Sequence, residues 1–154
     1  MTTQAIFSPS PKLPLSPGMQ ALQTVGEWLQ LPISNFVDWV SLSRGGLAPE
    51  SIELLVEHGY SRKELSWIIA PRTLSHRRNK REKLTPEESG RLLRAAKIQA
   101  MAEAVFADQE LAKNWLSQKR PSFGDLSAKE LMQTEQGGQW VEETLGRLDA
   151  GYFA

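Results

Sequence analysis

The chain of 154 residues contains no cysteine. That excludes disulfides, thiolate zinc sites and a cysteine nucleophile, and it fits a reducing compartment such as the cytoplasm. No apolar run approaches the roughly 20 residues needed to cross a bilayer, so no membrane partner is expected. The opening residues, "MTTQAIFSPSPKLPLSPG", lack the basic start and apolar block of a secretory signal. Histidine is scarce: His58 and His76 are the two present. Alternating β-branched runs are missing as well, which argues against a sheet. What remains is a chain with 40% hydrophobic residues and five Trp, enough to build a core.

These scarcities also bear on catalysis. Glu142 and Glu143 are adjacent on a helix and point about 100° apart, so they cannot share a proton or a metal. "QGGQW" lacks the lysine and flanking strand of a phosphate loop. The expectation is a non-enzyme with no catalytic residues, no metal and no cofactor.

Local signals predict an all-α protein. "SRKE" (Ser61–Glu64), "TPEE" (Thr85–Glu88) and "SAKE" (Ser127–Glu130) read as capping boxes. Tyr60 with Leu65, and Leu126 with Leu131, are placed as hydrophobic staples. Helices are expected over about 19–29, 35–43, 49–58, 62–69, 71–81, 86–107, 109–117, 128–133 and 135–150. Pro32, Gly45-Gly46, Gly59 and Gly151 act as stops. Residues 1–18 hold four prolines between positions 9 and 17 and read as an extended or disordered tail. Residues 19–84 and 85–154 form two helical modules in this reading.

Charge divides the modules. The chain is neutral, with 18 basic and 18 acidic residues. Yet "PRTLSHRRNKREK" (71–83) carries six basic side chains and one acid, a net +5, so the remainder sums to −5. From 101 to 154 there are five basic and nine acidic residues, a net −4. The basic segment follows a capped helix and a break near Ala70, the pattern of a helix-turn-helix. In that reading Arg72, Thr73, Ser75 and His76 face base edges, Leu74 faces inward, and Arg77, Arg78, Lys80 and Arg81 follow the phosphates. The alternative is a solvated helix end, where Lys and Arg are favoured by the macrodipole. RNA fits less well, because no aromatic platform is interleaved with the charge.

The acidic half offers apolar stripes: Ile98, Met101 and Val105; Leu111, Trp115 and Leu116; Val141, Leu145 and Leu148. Ala95, Ala96, Ala100, Ala102 and Ala104 allow close helix packing. Most of this reads as core. The terminus "LDAGYFA" places two aromatics after a helix stop. Either they fold back on the core or they enter a partner's pocket.

Several blocks occur in a telling order: "PRTLSHRRNKREKLTPEESGRLLRAAKI", "AVFADQELAKNWL" and "LMQTEQGGQWVEETLGRLDAGYFA". Together, from about Ile33 to Ala154, they resemble the Xre-type antitoxins of type II toxin–antitoxin modules, also grouped with the MbcA and ParS antitoxins, whose partner is a RES-domain toxin. Ala70 stands where a better N-cap is usual, and "PSFGD" differs from the more usual small, Gly-rich turn. The resemblance implies an Xre-like helix-turn-helix domain that binds operator double-stranded DNA at its own promoter, as a homodimer. It implies a small helical domain that binds and silences a RES toxin, an enzyme that consumes NAD⁺. The antitoxin itself carries no activity. The antitoxin terminus approaches the toxin's active site, which assigns Arg147, Gly151, Tyr152, Phe153 and Ala154 to toxin contact. The rival is a stand-alone dimeric regulator whose C-terminal domain only dimerises.

Overall fold

A computed structural model describes residues 14–151. The chain folds as eight α-helices among the described residues, with short 3-10 turns between them. They are α1 (Pro17–Leu29), α2 (Phe36–Gly45), α3 (Glu53–Glu57), α4 (Pro71–Lys80), α5 (Pro86–Phe106), α6 (Gln109–Ser117), α7 (Ala128–Leu131) and α8 (Glu135–Asp149). The all-α expectation holds. The small exception is a two-residue antiparallel ladder, β1 (Lys119–Arg120) with β2 (Leu126–Ser127), closed over Pro121–Asp125.

Helix starts follow the side chains that cap them. Thr85 accepts from the Glu88 N–H at 3.1 Å, and Glu88 accepts from the Thr85 N–H at 3.0 Å. The reciprocal box at Ser127 and Glu130 opens α7. Ser16, Asn35, Asp108 and Thr134 cap α1, α2, α6 and α8 through one hydrogen bond each. Each such bond satisfies one orphan N–H of the first turn.

The third expected box closes only halfway. Glu64 N–H reaches Ser61 Oγ at 3.2 Å, but the Glu64 carboxylate takes Lys129 Nζ at 2.8 Å instead of returning to Ser61. The segment expected as a helix over 62–69 is instead a 3-10 turn (Lys63–Leu65) followed by turns. Pro71 contributes from the other side by holding Ala70 extended, at φ −61° and ψ 140°, so no helix can run through. The segment still buries Leu65, Ile68 and Ile69.

α5 is the axis of the molecule. Leu92, Leu93, Ala95, Ala96, Ile98, Ala100, Met101 and Ala102 are buried around its circumference, the pattern of a helix packed on all sides. It touches α1, α2, α3, α6 and α8. Its small side chains let those helices approach closely. Val25, Leu55, Ile68, Leu116, Met132, Val141 and Leu145 meet it in one continuous core. The basic and acidic halves of the sequence thus share a single apolar interior.

Direct polar ties reinforce this. Lys129 Nζ lies 4.4 Å from the Tyr60 ring centroid while bonding Glu64. Tyr60 Oη donates to Met132 Sδ. Arg94 donates to the Met132 and Gln133 carbonyls at 2.8 and 3.2 Å and lies over Trp67.

The turn between α7 and α8 requires glycine. A Cβ on Gly137 would overlap the Leu131 carbonyl oxygen and stand 2.7 Å from its carbon. Gly137→Ala is expected to destabilise the fold by about 3 kcal/mol through overpacking, a fall of roughly 10 °C in Tm by thermal melting. An unchanged Tm would mean the α7–α8 turn opens freely.

Candidate functional site

α4 carries the basic segment. Pro71 occupies its first position, where the missing N–H is one of the orphans anyway. No side chain caps it, so the weak Ala70 start anticipated from sequence is real. Arg77, Arg78 and Lys80 fill the last turn, where cations offset the helix dipole. Arg81 ends the helix in the left-handed region at φ 53°. Its N–H reaches the Arg78 carbonyl, and the Glu82 N–H reaches the Arg77 carbonyl at 2.9 Å. This is a Schellman closure made by arginine instead of glycine.

The helix has two faces with different duties. Arg72, Ser75, His76, Asn79 and Lys80 are exposed, at helical spacings of i, i+3, i+4, i+7 and i+8. Leu74 packs against the core. Thr73 is half-buried between the faces.

Arg77 and Arg78 lie on the inner side and are engaged. Arg77, 21% exposed, donates to Glu88 from Nε at 3.1 Å and Nη2 at 2.9 Å, and to Glu82 at 3.3 Å. Arg78 donates to Glu53 at 2.7 Å, and Glu53 also pairs with Arg62 at 2.9 Å. A cavity of about 160 Å³ lies between Leu65, Ile69 and Leu74, where the shortened 61–69 segment leaves space behind the helix. Two of the residues assigned from sequence to phosphate contact therefore hold α4 to the body of the protein. The ion pairs among the described residues leave Arg72, Lys80, Arg81 and Lys83 without a carboxylate partner.

The anchor is electrostatic and responds to acid. Burial opposes charge on Glu88, yet hydrogen bonds from the Thr85 backbone and from Arg77 outweigh it and hold the carboxyl below its ordinary value of 4.5. The hydrogen bond from Arg78, then that from Arg62, lowers Glu53 likewise. A depressed carboxyl stabilises the fold fully above its unfolded value, and this contribution fades as pH falls through the folded one. Glu88→Gln is expected to lower Tm on the order of 5 °C near pH 7 and to flatten the loss of stability below about pH 4.5. Thermal melts across that range check it. An acid limb identical to the wild type would remove Glu88 from the acid response.

The exposed face can read a duplex. Arg forks onto guanine, Asn pairs with adenine, and Ser contacts either. The unpaired cations at the end of the helix and just beyond it, Lys80, Arg81 and Lys83, suit phosphates. Asn79 was not singled out from the sequence. The signal that finds it is its register with Arg72, Ser75 and His76.

The second set of sequence-assigned residues lies at the end of α8. Arg147 is exposed in the last turn, and Gly151 is exposed with φ 86°. Tyr152, Phe153 and Ala154 lie outside the described residues. The exposed face of α8 runs Gln136, Gln139, Trp140, Glu143, Arg147 and Ala150. Among the described residues no group of three His, Cys, Asp or Glu is placed to hold a metal, and no helix is long and apolar enough to cross a membrane.

Residues 38–97 match the antitoxin Xre-like helix-turn-helix domain, and residues 101–151 match the antitoxin Xre/MbcA/ParS C-terminal toxin-binding domain. The boundary between the two falls inside α5. An antitoxin Xre of Pseudomonas putida is 44% identical over 89 residues, which cover 58% of this chain and 56% of that one. An antitoxin Xre of Yersinia enterocolitica is 34% identical over 87 residues, 56% of this chain and 59% of that one. The match thus spans little more than half the length of these relatives. In chain order, then, an antitoxin Xre-like helix-turn-helix domain is followed by an antitoxin Xre/MbcA/ParS C-terminal toxin-binding domain.

Proposed function

We propose that the chain is the antitoxin of a type II toxin–antitoxin module in the bacterial cytoplasm. Its C-terminal half binds and silences a RES-domain toxin that degrades NAD⁺, with the terminal residues Gly151 to Ala154 and Arg147 reaching toward the toxin's active site. Its α4 holds a homodimer on operator DNA at its own promoter and represses transcription. The protein itself performs no catalysis.

The observation that carries this reading is the division of labour on α4. One face is tied to the body by Glu53 of α3 and Glu88 of α5, and the opposite face presents Arg72, Ser75, His76, Asn79 and Lys80 to the outside. A helix held rigidly from behind with a polar, cationic outer face suits a major groove. Arg72, Ser75, His76 and Asn79 take the base edges in this proposal, with Thr73 supporting them. Lys80, Arg81 and Lys83 take phosphates, while Arg77 and Arg78 act by positioning. The modules proposed are residues 19–84 for DNA and 85–154 for toxin.

Footprinting upstream of the chain's own coding sequence, together with co-purification of the RES-domain protein encoded beside it, tests the pairing of roles. Protection of a defined site and a stable complex are expected. Absence of any complex, with operator protection intact, would leave a stand-alone regulator.

A further inference from the structure

Four of the five tryptophans are at least half-buried, but Trp140 is 50% exposed in the middle of α8. An exposed indole of this kind is uncommon away from binding surfaces, because its large apolar area gains from burial. It is also held in place. Phe123, itself buried, meets it edge-on with centroids 6.2 Å apart, and Trp115 meets Phe123 at 6.0 Å in the same manner. Arg120 stacks over Trp115 at 4.4 Å and is pinned by the Trp115 and Gln118 carbonyls. The β1–β2 ladder closes the loop that carries Phe123. The segments that hold this stack bear two more exposed apolar side chains, Leu126 on β2 and Leu111 one turn before Trp115.

We propose that Trp140 is the docking anchor for the toxin, distinct from the terminal element that silences it. The proposal rests on the antitoxin reading above and divides its two tasks between two parts of one helix face. Trp140 and Arg147 are seven residues apart, hence on the same face. Gly151 follows about 16 Å further along the axis from Trp140. The surface is therefore continuous with the terminus assigned to the toxin.

The chemistry defines the partner. A rigid aromatic anchor loses little entropy on binding and fills an apolar recess. Gln136, Gln139 and Glu143 surround it with polar groups, the pattern of a desolvated centre with a polar rim. On that face one carboxylate, Glu143, is matched by one guanidinium, Arg147, so the rim is polar without a net charge of one sign. Trp140, Leu111 and Leu126 all lie within the stretch matched to the toxin-binding domain. The occupant is the toxin, not a second copy of this chain.

The test compares full-length protein, Trp140→Ala, and a chain lacking Gly151 to Ala154, each titrated against the RES-domain protein by calorimetry. Tm and self-association are measured in parallel. Trp140→Ala is expected to weaken toxin binding about 30-fold or more, with Tm within about 2 °C of wild type. Its silencing should return at saturating concentration, because the terminus is intact. The truncated chain should bind nearly as wild type and fail to silence. If Trp140→Ala lowers Tm, Trp140→Phe, which keeps an edge contact to Phe123, carries the test, with an intermediate loss expected. Unchanged affinity in both Trp140 variants would overturn the proposal. So would weakened self-association with toxin affinity intact, which would make the patch an interface between copies. A wild-type chain that binds no toxin would instead remove the antitoxin reading itself.

Discussion

Removal of Gly151 to Ala154 is expected to yield a folded, DNA-binding protein that no longer silences its toxin. The described core ends before this point: Val141 and Leu145 are the last fully buried side chains of α8. The helix closes at Asp149, with Ala150 as its cap and Gly151 exposed in a left-handed turn. Little stability is at stake, so Tm should move by no more than about 2 °C. NAD⁺ consumption should return nearly to that of the free toxin even at saturating truncated chain, because the element that covers the toxin's active site is gone while the docking surface on α8 remains. Intact silencing by the truncated chain would move the inhibitory element into the helical body. A large fall in Tm would mean that the aromatics pack on the antitoxin's own core.

The second large effect is on DNA. Replacing Arg72, Lys80, Arg81 and Lys83 together by Ala should cut operator affinity on the order of 10² to 10³-fold near physiological salt. It should also reduce the slope of log affinity against log salt by about 3, one step for each of the three phosphate-facing cations. All four are exposed, and none of the ion pairs among the described residues uses them. Their removal therefore leaves Tm nearly unchanged. Arg77→Ala and Arg78→Ala should behave in the opposite sense, lowering Tm while changing the salt slope little, because their guanidiniums already face Glu88, Glu82 and Glu53. Equal slopes for the four-cation variant and the wild type would reject α4 as the phosphate-facing element. Fluorescence anisotropy at several salt concentrations measures both quantities.

What could be read in the sequence was local. Caps at Thr85 and Ser127 and the proline at position 71 act within four residues, so their helices start where short-range chemistry places them. The Glu64 carboxylate leaves its capping box for Lys129, 65 residues away. No local pattern contains that contact. The engagement of Arg78 is of the same kind, since Glu53 lies 25 positions upstream. A run of cations in sequence says nothing about which of them meet carboxylates in space. The apolar stripes misled in a similar way. Leu111 shares a helix face with Trp115, which packs against the core, yet Leu111 is 55% exposed. Trp140 sits beside Val141, whose side chain is buried, and adjacency in a helix hides the fact that neighbours point apart.

The most direct test of the antitoxin role is NAD⁺ consumption by the product of the neighbouring gene, measured alone and with an equimolar amount of the full-length protein. The account predicts that consumption is suppressed in the mixture. Unaltered consumption, with the added protein folded and bound to its operator, would contradict it and leave a transcriptional regulator without a toxin.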